Sequence, residues 1–220
     1  MSTPCNQAVA VFGGTFDPVH YGHLRAAAEV ADQLKVTDFR LMPAGQPPHR
    51  TAPVASPEHR LAMLNCAVAG HDDLCVDDRE VRRTGPSFMV DTLASVRADI
   101  GDVPLLLCVG QDAANQLMAW HQWSRLFDLA HIVVMARPDS TINYPPELTR
   151  IMRQRQVGRT RDLMRTPAGG VRHLEVTQLA ISATDIRQQI EAGRNPRFLL
   201  PTTVLDYIAE HQLYRHPQDC

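Results

Sequence analysis

His20 and His23 are the first residues of this 220-residue chain whose type and spacing can do chemistry. Three apart, they share one face once a helix has begun, and both imidazoles can donate to the oxygens of one phosphate. Ahead of them runs Gly13-Gly14-Thr15-Phe16-Asp17-Pro18-Val19, where paired glycines let the backbone approach an anion closely. Two imidazoles also suit a metal, but no third ligand of suitable spacing is evident, and a lone histidine is usually structural. A second constellation is Ile181-Ser182-Ala183-Thr184-Asp185-Ile186-Arg187. Ser182 is a candidate N-cap, Ser182-x-x-Asp185 is close to a capping box, and Ile186 and Ile190 fall four apart on one side.

Composition removes several mechanisms. Of 22 basic residues, 21 are arginine and one is Lys35, which Val36 follows and no glycine run precedes. A Walker A phosphate loop therefore cannot be built, and Schiff-base lysine chemistry is disfavoured. A net charge of -2 gives no global attraction to nucleic acid or to an anionic membrane. No apolar run of membrane-spanning length occurs and the N-terminal residues are polar, so a cytoplasmic location is expected. Five cysteines, Cys5, Cys66, Cys75, Cys108 and Cys220, are odd in number and form no C-x-x-C pair. Most read as buried small hydrophobes, and the pattern argues against a disulfide framework and a zinc knuckle.

The histidines need a scaffold, and the hydrophobic pattern supplies one. Ala8 to Phe12 reads as a buried strand that stops at Gly13-Gly14. Leu24, Ala27, Ala28, Ala31 and Leu34 form the apolar stripe of a helix from Tyr21 to Lys35. Phe39 to Met42 is a second strand, followed by a proline-rich loop to Pro57 and a helix marked by Leu61, Leu64 and Val68. Leu74 to Val76 predicts a strand, Ser87 to Arg97 a helix, Leu105 to Val109 a strand, Gln111 to Leu129 a helical stretch, and Ile132 to Met135 a strand. A short strand at His173 to Val176, a helix opening near Ser182 and a last helix from Val204 to Leu213 complete the pattern. Strand-then-helix order with fully apolar strands predicts an α/β fold, a parallel sheet with helices on both faces. In such a sheet ligands bind at the carboxyl ends of the strands, where helix N-termini face an anion, and both histidines fall there.

No internal repeat or domain boundary shows, so residues 1–220 are expected to form one domain, with 138–172 a less regular, arginine-rich insertion. From Glu147 to Glu175 seven arginines face three acids. A basic flap over an anionic ligand is one reading. The favoured one is a solvated helix and loop whose arginine stems cover apolar surface.

The string from Gly13 to His23 resembles the H-x-G-H signature of the nucleotidyltransferase superfamily, in the G-G-T-F-D-P-V-H-x-G-H form of the bacterial nicotinate-nucleotide adenylyltransferases. Ile181 to Arg187 is similar to the superfamily's I-S-S-T-x-I-R segment, with Ala183 where the family most often has a second serine. The resemblance spans residues 8 to 208 and implies a single-domain Rossmann-like sheet with a C-terminal helical extension. The reaction it implies is adenylyl transfer from ATP to nicotinate mononucleotide, giving nicotinate adenine dinucleotide and pyrophosphate in NAD biosynthesis. His20, His23 and Arg187 are the implied catalytic residues. Gly13, Gly14, Thr15, Phe16, Gly110, Asp112, Ser182 and Thr184 join them in binding ATP, Asp112 through ribose hydroxyls. Gln46-Pro47-Pro48-His49-Arg50 resembles the P-P-H-[KR] stretch near the mononucleotide phosphate, which makes His49 and Arg50 its partners. Thr84-Gly85-Pro86-Ser87 begins a T-G-P-S-x-x-x-D-T-L match, so Thr84, Gly85 and Ser87 belong at the pyridine carboxylate; read without the family, it is a Gly-Pro turn with Ser87 as N-cap. Gly110-Gln111-Asp112 with a downstream tryptophan implies that Trp120 stacks on the pyridine ring, with Trp123 the alternative.

The implied reaction explains why lysine is dispensable. A phosphate nucleophile is already an anion at neutral pH, so catalysis reduces to positioning and charge stabilisation. Mg²⁺ is expected on ATP, held by phosphates and water without a protein cage. The partners expected are ATP and nicotinate mononucleotide, with no nucleic acid and no membrane, while a homo-oligomer is left open. Nicotinamide mononucleotide is the nearest rival acceptor. Phosphopantetheine gives no role to Trp120. A nucleotide sensor without turnover is disfavoured by the retained histidines, Asp112 and Arg187. RNA or DNA binding through the arginine-rich segment would carry steep salt dependence.

Overall fold

The computed structural model describes residues 8–46, 52–71, 73–136, 141–177 and 179–215. Among them six strands form one sheet: β1 (Val9–Gly14), β2 (Asp38–Pro43), β3 (Cys75–Val76), β4 (Leu105–Gly110), β5 (His131–Ala136) and β6 (Val171–Glu175). Their order is β3-β2-β1-β4-β5-β6 and all neighbours run parallel. Val9 at the start of β1 faces Asp38 on one side and Leu105 on the other. The winding direction therefore reverses between β1 and β4, which opens a crevice at their carboxyl ends.

The helices are α1 (Tyr21–Leu34), α2 (Pro57–Val68), α3 (Arg79–Arg82), α4 (Met89–Ile100), α5 (Gln111–Asn115), α6 (Leu126–Leu129), α7 (Pro146–Arg155), α8 (Thr160–Leu163), α9 (Ala183–Glu191) and α10 (Thr202–Glu210). Because successive strand residues point to opposite faces, the sheet divides the core in two. Ala10, Leu106, Cys108 and Val133 pack against α1, α2, α9 and α10, whereas Val11, Leu105, Leu107 and Ile132 pack against α4, α6 and α7. Both faces of β4 and β5 are covered, so these strands are apolar throughout.

Several elements differ from the sequence reading. On α1 the buried stripe is Ala27, Val30, Ala31 and Leu34, while Ala28 is exposed. The helix ends where Lys35 turns left-handed (φ 55°) and its N–H closes back on Ala31 and Asp32. Ser87 is not an N-cap: α4 opens two residues later after Phe88, without a side-chain cap, because the Ser87 hydroxyl is occupied by Gln46. The stretch from Gln111 to Leu129 breaks into α5, two single 3₁₀ turns (Leu117–Ala119 and Trp123–Arg125) and α6. Its interruption comes from extended Trp120 (ψ 143°) and left-handed Gln122 (φ 49°). α10 stops at Glu210, and Gln212 and Tyr214 also turn left-handed. The expected C-terminal helical extension is α10, which buries Val204 and Ile208 in the core shared with α2. Among the described cysteines only Cys108 is buried; Cys66 is half-buried and Cys75 exposed.

In the arginine-rich segment, α7 buries Leu148 and Met152. Arg155 lies over the Phe127 ring at 5.2 Å and donates to the Gly169 carbonyl, and Arg172 donates to Val157 and Gly158 carbonyls. These contacts are those of arginines covering apolar surface and closing loops.

Candidate active site

Beyond β1 the chain must turn sharply into α1, and Phe16 makes the turn with a left-handed backbone (φ 50°). Its ring is buried and meets Phe12 and His23 edge-on at 5.8 and 5.1 Å, so Phe16 offers a ligand only its main chain. A Cβ on Gly14 would come within 2.8 Å of that ring, and one on Gly13 within 2.8 Å of Met89 Cε. Gly14 thus has no room for a side chain beside the buried Phe16 ring, while the contact at Gly13 falls on the flexible end of Met89.

His20 occupies the N-cap position of α1 and His23 its first turn. Their rings stack with centroids 3.8 Å apart and planes 28° from parallel. Gly22 makes this possible, since a Cβ there would lie 2.9 Å from His20 Nδ1. The Nδ1 atoms of both rings are buried and have no hydrogen-bond partner. Burial pushes the His20 pKa down to about 4; burial, then repulsion from His20, pushes His23 down to about 3. Both are neutral at pH 7, and a polyphosphate beside them would favour the charged form.

Arg187 reaches this loop from α9. It donates to the Asp17 carbonyl at 2.6 Å and to Thr184 Oγ1 at 3.3 Å, and lies 3.8 Å from the Asp17 carboxylate. Ser182 caps α9 by accepting from Asp185 N–H, as the capping-box reading expects. Asp17 is 5% exposed, and its carboxylate accepts from the N–H groups of Val54 and Ala55 and from the Tyr214 hydroxyl. Thr15, His20, His23, Thr184 and Arg187 are therefore gathered around one loop.

Beside Gly13, Gly14 and Thr15 opens a cavity of about 240 Å³, walled also by Ala44, Ser87, Met89 and Trp120. Ser87 and Gln46 pair reciprocally: Gln46 N–H donates to Ser87 Oγ at 3.1 Å, and Ser87 N–H to the Gln46 carbonyl at 3.0 Å. Gly85 has φ +93°, a conformation that requires glycine, and Thr84 beside it is exposed. Trp120 lines the cavity, whereas Trp123 packs edge-on against Phe127 at 6.4 Å. Gly110 is the N-cap residue of α5 and Asp112 lies in its first turn. His49 and Arg50 lie outside the described residues. A larger surface groove beside Arg194, Arg197 and Arg215 holds none of the candidate catalytic or binding residues.

Sequence reasoning gave no role to Arg60, Glu80, Phe88, His121, Tyr214 or the Asp17 carboxylate. Phe88 and His121, with centroids 4.4 Å apart, help wall the cavity. Glu80 is 3% exposed and accepts from the Thr92 hydroxyl at 2.7 Å, and burial pushes its pKa up. Arg60 alone carried a legible signal, a charge in the buried stripe of α2 with Met63, Leu64 and Ala67.

The family model described as cytidylyltransferase-like matches residues 11–189. A protein of Methylococcus capsulatus named "Probable nicotinate-nucleotide adenylyltransferase" is 51% identical over 207 residues, 94% of this chain and 99% of that protein. The chain belongs to the nicotinate-nucleotide adenylyltransferase family. Another member, from Pseudomonas aeruginosa, is 46% identical over 95% of this chain and 98% of its own length. Among solved structures, the Plasmodium falciparum nicotinic acid mononucleotide adenylyltransferases complexed with APC and with NaAD each superpose with a TM-score of 0.71. Each covers 94% of this chain and 97% of its own, at 13% and 14% identity, and so bears on the fold. The family is one of nucleotidyltransferase enzymes, and its sheet is the one described above.

Proposed function

We propose that this chain transfers the adenylyl group of ATP to nicotinate mononucleotide, releasing pyrophosphate, in the cytoplasm. The observation that carries the reading is the stacked His20–His23 pair at the sheet's reversal point, one loop away from a cavity walled by Ser87 and Trp120. The mononucleotide phosphate attacks the α-phosphorus of ATP, and pyrophosphate leaves. The nucleophile needs no activation, so the residues bind, orient and stabilise charge. His20 and His23 donate hydrogen bonds to the transferring and leaving phosphates. Arg187, held by Asp17 and Thr184, supplies the fixed positive charge that the two neutral imidazoles do not. Gly13, Gly14, Thr15, Phe16, Ser182 and Thr184 line the triphosphate path, while Gly110 and Asp112 take the ribose. Thr84, Gly85, Ser87 and Trp120 receive the pyridine ring, and His49 and Arg50 its phosphate.

Among the described residues no group of three or more His, Cys, Asp or Glu side chains could hold a metal ion. Asp17 is committed to Val54, Ala55, Tyr214 and Arg187, and Glu80 to Thr92. Among the described residues the donor set does not fit a resident metal centre, and Mg²⁺ enters as part of the ATP substrate. Among the described residues no helix is long and apolar enough to cross a membrane.

The test is pyrophosphate release with ATP and Mg²⁺ on the acid and the amide mononucleotide, for the wild type and His23→Ala. Faster turnover of the acid and a loss of about 10²-fold or more in the variant are expected. Preference for the amide would reassign the acceptor, and near-normal turnover of His23→Ala would remove the histidines from the mechanism.

A further inference from the structure

Arg60 has no exposed surface, and its side chain serves three separate stretches of backbone. Nη1 donates to the Thr15 carbonyl at 2.9 Å, Nη2 to the Gly45 carbonyl at 3.0 Å and Nε to the Ala55 carbonyl at 3.2 Å. Thr15 belongs to the loop after β1 and Gly45 to the loop after β2. A helix that needed only to pack would place an aliphatic residue here, because burying a guanidinium is costly unless its donors are satisfied. The Gly45 end of the bridge is closely fitted. A Cβ on Gly45 would collide with the Glu80 carbonyl and approach Ser87 Oγ to 2.9 Å. The next residue, Gln46, is the one that pairs with Ser87.

We propose that Arg60 is a positioning residue that sets the loop after β1 in register with the loop after β2, and so sets the distance between the two bound substrates. This rests on the assignment of those loops to ATP and to the mononucleotide. The planar guanidinium has a fixed fork of donors, so the two carbonyls cannot drift apart independently. Reaction between two bound phosphates needs them placed to within about 1 Å, and misplacement on that scale costs about 10²-fold. Arg60 touches neither the cavity nor the histidines, and it acts through Thr15 and Gly45.

Arg60→Lys keeps the charge and the stem but cannot span both carbonyls. Calorimetry would give separate dissociation constants for nicotinate mononucleotide and for an unreactive Mg²⁺–ATP analogue, with kcat from pyrophosphate release. Both constants are expected to rise about tenfold and kcat to fall about 10- to 100-fold in a protein that still unfolds cooperatively. A change in one constant only, or in neither, overturns the joint role. Gly45→Ala is the second variant, useful if Arg60→Lys does not fold. It displaces the loop after β2, and the guanidinium passes part of that displacement to Thr15, so both constants are expected to rise, the mononucleotide's by more. Weakening of mononucleotide binding alone, or of neither, overturns the register. Absence of turnover in the wild type would refute the proposed reaction, whereas the binding constants would still decide the role of Arg60.

Discussion

His20 and His23 sit at the centre of the site as neutral groups, and that neutrality has a cost that depends on pH. Their pKa values fall from the ordinary 6.5 to about 4 and about 3. Between pH 6.5 and about 4 the unfolded chain therefore binds more protons than the folded one, and stability falls as the pH falls. The slope is at most about 1.4 kcal/mol per pH unit per histidine. Burial lowers His131 and His173 as well, in the same sense. The check is urea denaturation at pH 7.5 and 5 for the wild type and a His20→Asn/His23→Asn variant, which should lose much of the pH dependence; an unchanged slope would place the effect elsewhere. The spacing of this pair was legible because the side chains that act are close in sequence. Asp17 was read only as part of a motif, since its partners Val54, Ala55, Arg187 and Tyr214 come from three other parts of the chain.

At the scale of the element, α1 carries an opposition between helix stability and site geometry. Gly22 lies one residue inside the helix, where alanine would ordinarily be better by up to about 1 kcal/mol. A Cβ there would press on His20 Nδ1. Gly22→Ala is expected to hold or raise thermal stability while cutting turnover by more than about tenfold, because the displaced ring breaks the stack. Calorimetric melting and initial rates on the same preparation check this, and unchanged rates would show that the ring finds room. The strands were legible from their apolar runs, and helix starts with local caps such as Ser182 were legible too. The start of α4 was not, because Ser87 spends its hydroxyl on Gln46, forty-one residues away. Nor was the breakup after α5, which depends on the left-handed turn at Gln122, a residue type that seldom signals one.

In the whole molecule, two buried polar centres tie separate loops and helices together at the carboxyl edge of the sheet. Asp17 gathers the region after α10, the entry to α2 and, through Arg187, α9; Arg60 gathers the loops after β1 and β2. Tyr214→Phe deletes the 2.7 Å bond to Asp17 without changing the ring. It should cost about 1.5–3 kcal/mol, the range for a hydrogen bond to a charged group. Equilibrium denaturation measures it, and a change below about 0.5 kcal/mol would mean that Val54, Ala55 and Arg187 suffice for the carboxylate. The parallel sheet was legible as a class from the alternation of strands and helices, and its strand order agreed with the placement of the histidines at a strand's end. The closing role of Tyr214 was not, since nothing local distinguishes it from any tyrosine after an amphipathic helix.

The bond from Tyr214 to Asp17 joins positions 197 apart in the chain. During synthesis the ribosome delivers the glycine pair and both histidines early, and the hydroxyl that completes the Asp17 cluster nearly two hundred residues later. A nascent chain that already holds every residue proposed to touch ATP phosphates still lacks one of the four groups that fix the loop carrying them. Completion of that cluster therefore waits until Tyr214 has been made, by which time every strand of the sheet it rests on has been delivered.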